Sequence, residues 1–184
     1  FALGYFLARR LGLAYRDGKM VPRDQAASLA WLDMAVKHGN PYAQYELAVM
    51  SRDGTGAPQD LARALELFTQ AAERDHVGAQ AALGQMYYRG QGVKQDSLTA
   101  SMWFALAAEG GDKASQLSRT ILAPTLSEQQ LRQVDELKTH WKAERLHKLP
   151  SAQAENGKDG GHGEAKGGHG EAKMFGAPAI VGVE

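Results

Sequence analysis

The chain has 184 residues, 21 lysines and arginines against 21 aspartates and glutamates, and no cysteine. A formal charge of zero supplies no overall field to draw in nucleic acid or an anionic membrane surface, and the lack of cysteine excludes disulfides and thiolate metal sites. No apolar run approaches the roughly 18–20 residues that cross a bilayer, and the length suits one domain plus a tail.

Taken in order, Phe1, Leu3, Tyr5, Phe6, Leu7 and Leu11 give an amphipathic helix over residues 1–17. The first residue is not Met, and no charged n-region or small-residue cleavage site distinguishes a removed signal peptide from a trimmed terminus. Asp17, Gly18 and Pro22 make a turn, and Asp24 caps a second helix with Ala27, Trp31, Leu32 and Ala35 on its core face. His38-Gly39-Asn40-Pro41 ends it. The pattern then returns: Ala43, Leu47 and Met50 on a helix, Gly54 and Gly56 in a turn, Asp60 as cap, then Ala64, Phe68 and Ala71. It is clearest the third time, from Ala79 to Glu109, AQAALGQMYYRGQGVKQDSLTASMWFALAAE.

Asp24, Asp60 and Asp96 stand 36 residues apart, and a fixed spacing of this size marks a repeat array. Each unit is a helical hairpin that cannot bury its own apolar face, so neighbouring units hold one another up. Alanine and glycine let the axes approach, while Leu83, Met86, Trp103 and Phe104 fill the space that remains. The string A-x3-LG-x-MY-x2-G-x-GV-x2-D-x3-A-x2-WF-x2-AA resembles the Sel-one-like repeat (SLR) family, relatives of the tetratricopeptide repeats. The third unit matches almost throughout. The second departs at Ala48, where Gly is usual, and at Ser51, where an aromatic is usual; the first departs at Met20, in place of the second turn glycine, and at Ser28, in place of a small packing Ala. The resemblance covers about residues 3–120 and implies an α-solenoid used as an adaptor or scaffold, with no catalytic residues.

Past Ala114 the signature fades. Residues up to Leu122 form one more helix, stopped by Pro124, and Ser127 with Gln130 forms a capping box. The helix it opens carries Leu131, Val134, Leu137 and Trp141 as an apolar stripe, the expected cover for the last unit. The expected architecture is therefore an all-α solenoid over residues 1–149, with units at about 7–42, 43–78 and 79–113 and a cap helix at about 127–147. Residues 150–184 hold nine of the 21 glycines and the doubled heptad GGHGEAK, and are expected to form a Gly/His-rich flexible tail, disordered or bound to a partner. Its apolar end, with Phe175, Ile180 and Val181, reads either as an anchor for a partner or as a plain disordered terminus.

No nucleophile motif, phosphate loop or zinc-protease helix is present, and the three periodic aspartates fit capping rather than chemistry, so no enzyme and no cofactor are expected. His162 and His169, each two residues before a glutamate, are weak metal candidates without a second shell to hold the rings. Binding is expected on first-helix positions that vary from unit to unit: Arg9, Tyr45 and Ala81; Arg10, Glu46 and Ala82; Arg16, Arg52 and Tyr88. Arginine and aromatic side chains are enriched at binding hot spots, which singles out Arg9, Arg16, Tyr45, Arg52 and Tyr88; ordinary exposure is the alternative. The expected function is a non-catalytic protein–protein interaction scaffold, an accessory subunit of a larger assembly, with no transmembrane segment of its own. The alternatives are a stand-alone exported bacterial adaptor that binds a peptide or cell-envelope partner, and metal binding by the His-rich tail. The resemblance is compatible with a bacterial periplasm or envelope and with eukaryotic membrane quality control.

Overall fold

Helix ends are fixed here by the same few side chains in every unit. Asp24, Asp60 and Asp96 accept backbone amide hydrogens at the start of each second helix, from Ala27, Arg63 and Leu98 at 3.0, 2.9 and 2.9 Å. Gly54 and Gly90 close the first helices in the left-handed conformation. The Gln59 and Gln95 side chains then donate to the last-turn carbonyls of Arg52 and Tyr88, at 2.7 and 2.8 Å. The resulting elements, in a computed structural model that describes residues 2–148 with side chains from Phe6 to Arg145, are α1 Ala2–Asp17, α2 Gln25–Lys37, α3 Pro41–Asp53, α4 Leu61–Ala72, α5 Val77–Arg89, α6 Ser97–Glu109, α7 Lys113–Leu122, a 3-10 turn Ala123–Thr125, and α8 Glu128–Lys148. Among the described residues there is no strand.

Helices pair as α1/α2, α3/α4 and α5/α6, and each pair packs on the next through α2 on α3, α4 on α5 and α6 on α7. One apolar core runs from Ala8 to Val134, so it belongs to the stack rather than to any unit. Phe68, Leu32, Leu47, Leu83 and Met86 are its largest fully buried apolar side chains. Each contributes about 1.5–3 kcal/mol by leaving water. Small residues set the distance between axes: a Cβ at Gly84 would lie 2.6 Å from the Phe104 ring, so that hairpin closes to where only hydrogen fits.

The regular alternation stops after α6. Helix α8 packs on α6 instead of forming a hairpin with α7. On α7, Arg119 stands at the place of Leu47 and Leu83 and is exposed, as are Leu117 and Ile121. The capping box forms reciprocally: Gln130 N–H donates to Ser127 Oγ at 3.2 Å, and Ser127 N–H to Gln130 Oε1 at 2.9 Å. Val134 is buried, and Leu137 and Trp141 are half-buried against the core, but the expected stripe loses its first member, because Leu131 is 38% exposed. Leu126, just before the cap, packs on the core at that end instead. Trp141 meets Trp103 edge-on, with ring centroids 5.2 Å apart. The Glu109 carboxylate accepts from Lys138 at 2.8 Å and from Lys142, which holds its pKa below the usual carboxylate range, and Arg145 pairs with Asp75.

Candidate partner-binding face

The expected binding residues do not form three independent columns. Arg9 and Tyr45 are joined through two side chains that the variable columns leave out, Tyr42 and His76. The Arg9 guanidinium lies over the Tyr42 ring, 5.1 Å from its centroid. Tyr42 meets His76 edge-on at 5.0 Å, and His76 stacks on Tyr45 at 4.5 Å with 21° between the planes. Tyr45 continues inward to Phe68 at 5.8 Å. This ladder starts on α1, crosses α3 and ends on the residue that caps α5, so it spans the first two units and touches the start of the third.

His76 is the hinge of that ladder. It stands where Asn40 and Asp112 cap α3 and α7, and it caps α5: its Nδ1 accepts the Ala79 N–H at 3.1 Å. Accepting at Nδ1 between two tyrosines favours the neutral ring. Burial pushes its pKa down, Glu46 pulls it up, and Arg9 lowers it further. A histidine in an Asn/Asp capping column, one turn of the array away from Tyr42 and Tyr45, was a sequence signal for this cluster.

Arg16 and Arg52 face the same way in their units but are occupied locally. Arg16 donates to Asp17 at 2.8 Å and pairs with Glu46 of the next unit. Arg52 donates to Asp53 at 2.7 Å and sits over the buried Phe68 ring. Tyr88 is 44% exposed and lies outside the ladder. In the remaining column Arg10 lies over Phe6, while Ala82 is buried and takes no part in the surface. The tail residues Phe175, Ile180, Val181, His162 and His169 lie outside the described residues. Among the described residues no group of three His, Asp or Glu side chains is placed to hold a metal, and no helix is long and apolar enough to cross a membrane.

Stacked helical hairpins with capped, glycine-bearing turns define a helical repeat protein of the solenoid class. The Sel1 repeat model matches residues 2–40, 41–76 and 77–112, and the chain belongs to that family. It is similar to a Sel1 repeat protein from Oxalobacter formigenes, at 28% identity and a TM-score of 0.59 over 63% of this chain and 87% of that one. It shares its fold with a protective antigen of uropathogenic Escherichia coli with an SLR fold, at 24% identity and a TM-score of 0.68; the match covers 86% of this chain but only 35% of the antigen. No curated protein matches the chain. Sel1 repeats generally mediate protein–protein interaction and are typically non-catalytic.

Proposed function

We propose that this chain is an interaction scaffold whose protein partner docks on the ladder face, and that it serves as an accessory subunit of a larger assembly. The observation that carries the reading is the continuous Arg9–Tyr42–His76–Tyr45 ladder, with Tyr42 56% exposed at its outer edge. An aromatic and arginine surface already ordered across two units loses little side-chain entropy when a partner covers it. Arg52 borders that surface through the Phe68 ring that Tyr45 also meets, its charge offset by Asp53.

The test is size-exclusion chromatography of a native extract, followed by the same run with Arg9→Ala/Tyr42→Ala and with Arg16→Ala/Arg52→Ala. The unaltered chain is expected to elute with a complex far above its own 19.9 kDa, and the first double variant to fall back to the monomer position. Elution of the unaltered chain alone would favour a stand-alone adaptor. Retention of the complex by both double variants would dismiss the face.

A further inference from the structure

Helix α7 ends the stack, and its exposed residues fall into two groups. Counted from their caps Asn40, His76 and Asp112, helices α3, α5 and α7 share one register. Ser115 and Leu122 are buried at the places where Ala43 and Ala79, and Met50 and Met86, are buried. In that register Gln116, Arg119 and Thr120 stand at the places of Gln80, Leu83 and Gly84. Those places belong to the hairpin contact, as the approach of Gly84 to the Phe104 ring shows. Because α8 packs on α6 and not on α7, these three residues are exposed, and they are polar, as the end of an array requires. Leu117 and Ile121 depart from that rule, at 62% and 63% exposure.

Their register places them on another face. Leu117 belongs to the column of Arg9, Tyr45 and Ala81, and Ile121 to that of Leu13, Val49 and Gln85. They continue the ladder face rather than the end of the stack. Between them and the ladder, unit three carries Gly78 and Ala81 where unit two carries Tyr42 and Tyr45. A Cβ at Gly78 would lie 3.2 Å from both the His76 and the Tyr45 ring, so the glycine leaves that edge of the ladder uncovered. The face therefore drops behind the rings and rises again at two aliphatic side chains.

Charge characterises the opposite end. Arg16 and Arg52 are offset by neighbouring carboxylates. Arg9 and Arg10 have no ion pair among the described residues; they rest over Tyr42 and Phe6, and the buried Arg9 Nε has no acceptor. A buried donor left unpaired is costly, and a carboxylate is the strongest acceptor for a guanidinium. We infer that the ladder face holds one extended segment of a partner polypeptide, with an acidic side chain on Arg9 and an aliphatic side chain on the Leu117–Ile121 pair. From α1 to α7 there are three unit steps of about 10 Å each, which roughly nine residues of extended chain span at about 3.3 Å per residue. A second copy of this chain fits less well. Two side chains bury far less than the roughly 800 Å² per partner of a stable interface, and a two-fold contact would bring Lys113 and Arg119 of both copies together.

The inference rests on the ladder as the docking face. Its test uses a defined probe: a peptide of two aspartates, a Ser/Gly spacer of about eight residues and two leucines, made in both orders. Each is titrated into the full ¹⁵N-labelled chain. With one order, saturating amide shifts are expected at Arg9 and Tyr42 and also at Leu117 and Ile121. Halving the spacer, or replacing the aspartates by lysines, should weaken binding about tenfold, the value of one charge-assisted hydrogen bond or one buried aliphatic side chain. Leu117→Ser/Ile121→Ser should weaken it by the same factor and leave the urea midpoint unchanged, because both side chains are exposed. Leu117→Met/Ile121→Val should keep the affinity. Shifts at the ladder alone, or undiminished binding to the serine variant, would overturn this inference and leave the ladder reading in place. No saturating shift with either order would also overturn it, and the ladder reading is then decided by the extract run. Amide shifts at Leu117 and Ile121 that move with protein concentration before peptide is added would assign the pair to a second copy instead.

Discussion

Units two and three share a frame and differ in what fills it. Both have an aspartate cap, Asp60 or Asp96, glycines at Gly54 and Gly56 or Gly90 and Gly92, and a glutamine that seals the first helix, Gln59 or Gln95. Yet α4 buries Ala64, Leu67, Phe68, Ala71 and Ala72 along one stripe, while α6 buries every residue from Ala100 to Ala107. A helix that is apolar on all sides needs neighbours on all sides. Helix α6 has them, because α7 covers one flank and α8 another. Unit two, with the small residues Ser51 and Ala57, lines a cavity between α2 and α3. The frame sets the backbone, and a handful of side chains decides how much of it is covered.

The strongest way to break the contrast is to uncover unit three. Trp141→Ala removes the ring that meets Trp103 and supports the Arg145 guanidinium, 5.3 Å from its centroid. Full burial of such a ring is worth about 3–5 kcal/mol; half-buried Trp141 should cost about 2–3 kcal/mol. The denaturant midpoint should fall accordingly, and the exposed α6 surface should promote self-association. A midpoint that hardly moves would mean that α8 does not hold the end of the stack.

His76, at the junction of the two units, gives a smaller effect that depends on pH. Its folded-state pKa lies below the unfolded value of about 6.5. Between those two values the unfolded chain binds a proton that the folded chain refuses. The stabilisation is therefore complete above pH of about 6.5 and is lost as the pH falls through the folded-state pKa. Protonation also removes the Nδ1 acceptor that caps α5, a cap worth about 1 kcal/mol. Urea midpoints followed downward from pH 7.5 should decline in this window. His76→Asn keeps a cap of the kind Asn40 provides for α3 and should flatten the decline. An equal slope in both proteins would assign the effect to other groups.

Period and caps were legible because they are local: a helix end is written in the residues that close it, and the same letters return every 36 positions at Asp24, Asp60 and Asp96. The ladder was only half legible. Arg9 and Tyr45 stand out as variable surface positions, but their connection runs through Tyr42 and His76, and ring contacts between units depend on how hairpins stack. Leu131 was placed on the core stripe because it continues the apolar spacing of Val134, Leu137 and Trp141. Spacing alone cannot tell how far the core reaches along α8, and Leu131 stays outside it. The cavity was present in the sequence as two departures, Ser51 and Ala57, but only the stacking shows that both face the same space.

Met20 offers the finest test of the frame, carried from the later units back to the first. It adopts φ +70°, as Gly56 and Gly92 adopt +82° and +72° at the same place in their units. In units two and three glycine is needed for two reasons. The left-handed backbone disfavours a side chain, and a Cβ would press on the preceding unit: 3.0 Å from Gln25 Cβ at Gly56, and 2.8 Å from Leu61 Cβ at Gly92. Met20 is wholly exposed, so the second reason is absent and methionine is tolerated. The first reason remains and costs about 1–2 kcal/mol. Met20→Gly should recover it, less about 0.5–1 kcal/mol for glycine's greater freedom when unfolded, a net gain of roughly 0.5–1 kcal/mol. The urea midpoint should rise with the slope unchanged. Gly92→Met, which faces both penalties, should lower the midpoint by more than the first variant raises it. If both changes were equally small, the turn would be free of the preceding unit, and the coupling that makes this stack one core would have to lie in the helices alone.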